Sequence, residues 1–371
     1  MLIEAIDLYH VSLPLKRPWQ TPLRTFSTLE TVLVRMRSDG VSGWGEASPG
    51  NAPHASSEWA AGVMLALRDW LAPLLCGKAI DRGEEIEQHL SKFRGNRYAK
   101  GALDMAWWEL SARLQNRPLH QLLGGTQEHI PLGVTFDQME SHEEFLAAVG
   151  QAFADGFSRV KLKFRPGWDV RMVDAVRKDY PDQTIHIDVE GGLNLSHMEM
   201  LCRLDDFMLA MIEQPLAEDD LVAHAMLQET IRTPVALDES ITTVGQAEMA
   251  LDLKSCRYVS LKPGRVGGLS SALTIHDLCL ENHVECFLGA MPQTAIGARI
   301  GYALASKTNF TYPADYFPAE QYLAADLAEP LLPQRNPHSG KLQIELWTTP
   351  GIGVEPDIEA IEKYALQKAS V

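Results

Sequence analysis

The sequence predicts an α/β protein whose larger part is a TIM-like barrel of parallel strands, preceded by an α+β region. Three observations support that expectation. Short β-rich apolar runs alternate with amphipathic helical stretches from about residue 126 to about residue 325, the pattern of strands joined by crossover helices. Eight such runs suit a closed barrel better than an open sheet. The polar residues that end five of them, Lys163, Asp188, Glu213, Asp238 and Lys262, are spaced 25, 25, 25 and 24 residues apart, so each takes the same place in successive strand–helix units.

The elements follow in order. Residues 2–13 alternate well enough for a strand. "LETVLVRMR" and "VSGWGEAS" flank Ser38-Asp39-Gly40, a turn signal, and read as a hairpin. Residues 56–75 and about 96–115 have helical spacing of apolar groups. The second helix stops near Asn116-Arg117-Pro118, and Gly124-Gly125 marks a boundary. Residues 1–125 are therefore expected to form one unit and 126–325 the barrel. Its runs are "IPLGVTF", "SRVKLKF", "TIHIDVE", "LAMIEQP", "PVALDES", "RYVSLKPG", "VECFLGA" and, weakly, "NFTYPAD". Residues 326–371, rich in proline, are expected to return over the first unit.

Bulk properties narrow the function. A net charge of −16 argues against nucleic acid, because phosphates are gripped by clustered Lys and Arg. The five cysteines, Cys76, Cys202, Cys256, Cys279 and Cys286, include no CxxC pair, which indicates neither a disulfide framework nor a zinc knuckle. Reduced thiols and a cytoplasmic location are expected. The opening "MLIEAIDLYH" lacks the basic start and apolar run of a signal peptide, and no segment is long and apolar enough to span a bilayer. A small-molecule substrate, no membrane partner and a homo-oligomer complete this expectation.

The spaced residues gather at the C-terminal mouth of a barrel, where such folds do chemistry. Asp188, Glu213 and Asp238 would repel one another there. A divalent cation removes the difficulty, and three oxygen donors suit Mg²⁺, with Mn²⁺ as a substitute. The absence of imidazole and thiolate at these positions argues against zinc. Val160, Leu162 and Phe164 alternate with Lys161 and Lys163, so both lysines share a face and point into the barrel. Lys163 and Lys262 then flank the acids. A carboxylate between them presents its α-carbon to both amines, and cation binding stabilises the enediolate. A neighbouring cation is expected to depress the lysine pKa and free a neutral amine as base. Lys161 assists that depression or neutralises substrate charge. Glu239 orients Asp238 or Lys262 from behind, and His186 is a supporting histidine. No GxxxxGK[ST] pattern exists, so Lys262 is not read as a phosphate-gripping lysine.

At this point "KLK" at 161–163, "IDVE", "IEQPL", "LDES" and "LKPGRVGG" resemble the enolase superfamily, in its muconate-lactonizing branch. Within that branch "GNRYAKGALDMAWWEL", "KFRPGWD" and "SLKPGRVGG" are most similar to the o-succinylbenzoate synthase and N-succinylamino acid racemase group. The resemblance runs over nearly the whole chain. It implies a modified (β/α)7β barrel with an N-terminal α+β capping domain, one Mg²⁺ on Asp188, Glu213 and Asp238, and Lys163 and Lys262 acting on the α-carbon. In the synthase reaction Lys163 takes the proton and assists loss of hydroxyl, while Lys262 stabilises the enediolate. In the racemase reaction the two exchange roles. The loop "WQTPLRTFST" (Trp19–Thr28) is placed to cover the mouth, with Arg24 on an anionic substrate tail. Thr135, Gly289 and Met291 complete the expected substrate contacts. Glu190 stands where relatives often have Asn, Gln293 where they often have Glu, and Leu193 replaces a common aromatic residue. Three readings stay open: synthase with racemase activity; a muconate-type cycloisomerase, dipeptide epimerase or other acid-sugar-like enzyme on the same site; and a catalytically inactive binding protein that kept the fold.

Overall fold

The computed structural model describes residues 1–20 and 25–371, so Arg24 lies outside the described residues. Strands β1 (Ala5–Gln20), β2 (Thr25–Ser38) and β3 (Val41–Ala47) form an antiparallel meander. The expected turn joins β2 to β3: Asp39 and Gly40 have φ of 50° and 74°, the left-handed pair whose twist matches a hairpin. One face of the meander, with Ile6, Leu8, Val34 and Met36, packs on Ala99, Ala102, Ala106 and Leu110 of the helix Arg97–Leu114. The other, with Tyr9, Val11, Leu33 and Trp44, joins the core of the barrel. Burial on both faces explains the apolar residues at adjacent positions, Leu8-Tyr9 in β1 and Val32-Leu33-Val34 in β2.

The close seat of that helix depends on Gly43 and Gly45. A Cβ on Gly45 would overlap the Ala102 carbonyl and crowd the Ala106 amide, and one on Gly43 would overlap the Leu110 backbone. Backbone atoms cannot swing aside as a side-chain tip can. Gly45→Ala is expected to lower stability by about 1–3 kcal/mol, the usual size of an overpacking penalty, read as a lower denaturation midpoint. An unchanged midpoint would refute the contact.

The barrel strands follow in sequence order: β4 (His129–Phe136), β5 (Arg159–Lys163), β6 (Ile185–Asp188), β7 (Ile212–Glu213), β8 (Val235–Leu237), β9 (Tyr258–Leu261) and β10 (Glu285–Leu288). Each pairs in parallel with the next. The eighth, β11 (Ala314–Asp315), pairs with β4, and a bridge from Cys286 to Phe310 ties the segment ahead of it to β10. The ring closes there. Two strands are shorter than their sequence runs. In "LAMIEQP" Gln214 turns left-handed at φ 38° and Pro215 follows. In "NFTYPAD" Pro313 has no N–H to give a ladder.

After the barrel, β12 (Gln334–Arg335) and β13 (Leu342–Glu345) form a ribbon antiparallel to β4. Strand β14 (Ala365–Ser370) pairs antiparallel with β1. Among the described residues, no helix is long and apolar enough to cross a membrane.

The helix Arg97–Leu114 also ties the meander to the barrel through buried acids. Asp104 accepts from the Ser270 amide at 3.0 Å and from its hydroxyl at 2.5 Å. Burial pushes its carboxyl from 3.8 up to about 7, although Ser270 pulls the other way. An acid with a raised folded-state pKa holds its proton more tightly folded than unfolded. Its contribution is complete below the unfolded value and is lost as pH climbs through about 7. The size is on the order of a few kcal/mol. Asp104→Asn keeps the shape and both partners but no charge. The variant is therefore expected to melt above the wild type at pH 8, with a smaller gap at pH 5, in thermal denaturation. A deficit that is the same at both values would refute this account.

Candidate active site

Strand alternation on β5 puts Arg159, Lys161 and Lys163 on one face, toward the barrel axis. Register carries the row onward: Lys163 stands opposite Asp188, and Asp188 opposite Glu213. Asp238 follows the end of β8, and Lys262 the end of β9. The five spaced residues thus lie side by side across five neighbouring strands, with an amine at either end and three acids between.

The contacts are short and buried. Lys163 Nζ donates to Asp188 Oδ2 at 2.8 Å and to Glu190 Oε1 at 2.5 Å. Lys262 Nζ donates to Asp238 Oδ2 at 2.7 Å, and the Arg265 guanidinium takes the other oxygen at 2.5 Å. Gln214 braces the acid row from the backbone, accepting at Oε1 from the amides of Asp238 at 2.9 Å and Ser240 at 3.1 Å. A rim chain extends outward: Glu190 Oε2 meets Arg165, which grips both oxygens of Asp137. Glu190 reaches Lys163 from a left-handed backbone position, φ 51°.

The charges set each group's proton affinity. Burial, then the charge of Asp188, pushes Glu213 up to about 8, with Asp238 and Asp315 adding to the push. Burial would raise Asp188, but Lys161 and Lys163 outweigh it and hold it below the ordinary value. Asp238 is held far lower by Arg265 and Lys262 against its own burial. Burial alone would lower Lys163; Asp188 and Glu190 overcome it and carry the amine above its usual value. Without an ion on the acids, adjacent carboxylates are the dominant neighbours of Lys163; the depression expected of a neighbouring cation belongs to the ion-loaded site. His186 is driven well below its normal range by burial and by Arg159 and Lys161, so it is a neutral imidazole. The tautomer with the proton on Nε2 satisfies both neighbours: Glu213 Oε2 at 3.2 Å accepts, and the Tyr312 hydroxyl at 2.9 Å donates to Nδ1.

The remaining expected residues fall into three groups. Glu239 is half-buried beside Asp238, and its buried Oε2 has no hydrogen-bond partner among the described residues; burial and the charge of Asp238 raise it to about 7. Gly289 and Met291 line a narrow cleft with Lys262, Tyr98, Ser48 and Gln293. A Cβ on Gly289 would overlap the Lys262 side chain and the Ser260 hydroxyl, so the glycine makes room for the amine. Thr135 sits on β4 opposite Lys161 and does not line that cleft. The departure at Gln293 places its side chain against Gly297, while Thr294 and Gly297 donate to Glu46 from β3.

Three residues escaped sequence reasoning. Asp315, on the closing strand, accepts from Lys161 Nζ at 2.7 Å and from the fully buried Arg159 at 2.5 Å. Arg265 holds Asp238, as described. A signal for Asp315 existed: extending the spacing past Lys262 reaches Gly289 after 27 residues and Asp315 after 26 more. Arg159 lay in plain sight, two residues before Lys161 on the same face.

Among the described residues, no three acid, imidazole or thiol side chains stand so as to hold a metal ion as they are placed. Ammonium groups occupy the oxygens instead. The donor set itself fits a hard divalent cation: three carboxylates on adjacent strands, each disfavouring ionisation of another, with no thiolate among them.

Comparison with known proteins gives a consistent result. Residues 4–124 match the mandelate racemase / muconate lactonizing enzyme N-terminal domain, and residues 144–361 match the enolase C-terminal domain-like family. An o-succinylbenzoate synthase of Geobacillus kaustophilus is 38% identical over 363 residues, covering 98% of this chain and 96% of that one. An N-succinylamino acid racemase of Amycolatopsis is 36% identical over 369 residues, covering 99% of each. The crystal structure of an enolase superfamily member from Listeria innocua superposes with a TM-score of 0.93 at 32% identity, covering 100% of this chain and 99% of that one.

Proposed function

The chain belongs to the enolase superfamily, in the o-succinylbenzoate synthase and N-succinylamino acid racemase group, and from this we propose that it removes the α-proton of a succinyl-bearing carboxylate, as an o-succinylbenzoate synthase with N-succinylamino acid racemase activity. The supporting observation is the row itself: one buried acid bound to Lys163, another to Lys262, and Glu213 between them. Residues 1–125 act as the cap, 126–325 as the catalytic barrel and 326–371 as the returning segment. The cleft beside Lys262, lined by Met291 and Gly289 between barrel and cap, suits the body of such a substrate.

Asp188, Glu213 and Asp238 would hold Mg²⁺, and the bound ion would draw off negative charge developing on the substrate carboxylate. The chain's own residues do the rest. Lys163 approaches the α-carbon from the β5 side and takes its proton as a neutral amine. In the synthase direction the same ammonium returns that proton to the departing hydroxyl, and water leaves. Lys262 stays charged on the far side and steadies the enediolate. In the racemase direction Lys262 delivers a proton to the opposite face. Lys161 remains an ammonium within the acid cluster, and Glu239 supports Asp238 from behind.

The test is incubation in D₂O with Mg²⁺. N-succinylamino acids should gain deuterium at the α-carbon as they racemise. A hydroxylated succinyl-bearing ring acid should release water and form an aromatic product that absorbs in the ultraviolet. If neither class exchanges nor turns over, the proposal fails.

A further inference from the structure

Lys161 differs from the other two lysines of the row because three carboxylates share it. Its Nζ lies 2.7 Å from Asp315 Oδ2, 3.1 Å from Glu213 Oε2 and 3.3 Å from Asp188 Oδ2. The shortest contact goes to the one acid that is not assigned to the ion. Asp315 is itself firmly held. Its Oδ1 accepts from Arg159 at 2.5 Å, and its Oδ2 also accepts from the Ala290 amide at 3.2 Å. Arg159 is anchored on the Pro313 carbonyl at 2.9 Å and lies 5.4 Å from the centre of the Tyr312 ring. Tyr312 reaches His186, and His186 reaches Glu213. The contacts form a closed loop: Arg159, Asp315, Lys161, Glu213, His186, Tyr312 and back to Arg159.

An ammonium is a monovalent cation, and on Glu213 and Asp188 it competes with a divalent one for the same oxygens. How strongly it competes depends on what else holds it. We propose that Asp315 is a positioning residue for ion binding: by anchoring the Lys161 ammonium from the closing strand, it limits that ammonium's neutralisation of Glu213 and Asp188 and so raises their affinity for a divalent cation. This rests on the reading that Asp188, Glu213 and Asp238 hold such an ion. Asp315 also contributes its own negative charge, which would attract the ion with or without Lys161. The two effects differ in one respect. An effect exerted through Lys161 disappears when Lys161 is gone.

The experiment is a double-mutant cycle on the full chain: wild type, Asp315→Asn, Lys161→Met and the double variant. The Mg²⁺ dissociation constant is read by titration calorimetry at fixed ionic strength. Asp315→Asn is expected to raise Kd about tenfold, equivalent to ~1.4 kcal/mol. In the Lys161→Met background the same change is expected to shift Kd by less than about twofold. The half-saturating Mg²⁺ for turnover of an N-succinylamino acid should rise with Kd, while kcat at saturating Mg²⁺ falls by much less, a split that general loss of structure would not produce. Should the asparagine variant not fold, Asp315→Glu displaces the carboxylate by one methylene and is judged by the same comparison in both backgrounds. An equal rise with and without Lys161 overturns the proposal, as does an unchanged Kd. A wild type that binds no divalent cation overturns the underlying reading, and this one with it.

Discussion

Lys262→Ala is expected to lower turnover about 10²- to 10⁴-fold, the span supplied by a positioned acid–base group, and to leave a specific trace in isotope exchange. The amines stand at opposite ends of the acid row, Lys163 on Asp188 and Lys262 on Asp238. On the proposed mechanism each serves one face of the α-carbon. With Lys262 gone, Lys163 can still remove and return the proton of one enantiomer. In D₂O that enantiomer should exchange without racemising, and Lys163→Ala should show the reverse preference. Asp238 keeps Arg265 as its partner, so the variant should fold. Equal exchange of both enantiomers in either variant would mean the amines do not divide the two faces.

Asp238→Asn is the second large effect. On the proposed reading this carboxylate does two things, offering an oxygen donor to the ion as well as anchoring Lys262 at 2.7 Å. Removing its charge leaves Lys262 and Arg265 facing a neutral amide in a buried site. Breaking one side of a buried ion pair typically costs about 3–5 kcal/mol. We expect Mg²⁺ binding to drop below detection in calorimetry, turnover to fall at least 10³-fold, and the thermal midpoint to fall as well. Retained Mg²⁺ affinity would remove Asp238 from the ligand set.

The strand order and the acid row were legible because they depend on local patterns. Alternation on "RVKLKF" placed Lys161 and Lys163 on one face, and near-constant spacing aligned the acids. Strand length was not legible for β7 and β11, where Gln214 and Pro313 end the ladder by backbone conformation rather than composition. The Asp315–Lys161–Arg159 contact was hidden for another reason. It joins residues 154 and 156 positions apart, across the seam where the barrel closes, and no local pattern reports a seam. The surroundings of Lys163 were only half legible. Glu190 adds a second carboxylate at 2.5 Å, and spacing alone gave no sign that its side chain turns back toward the amine.

Asp7 pairs with Ser370, 363 positions further along the chain. At about 5–20 residues per second, a ribosome takes roughly 20–70 s to travel that distance. Throughout that interval the outer border of β1 has no mate, and the open amides and carbonyls of Asp7–Val11, which β14 later covers, invite pairing with whatever nascent chain lies nearby. A strand made early is thus among the last to be finished, and its safe passage depends on how long it must wait.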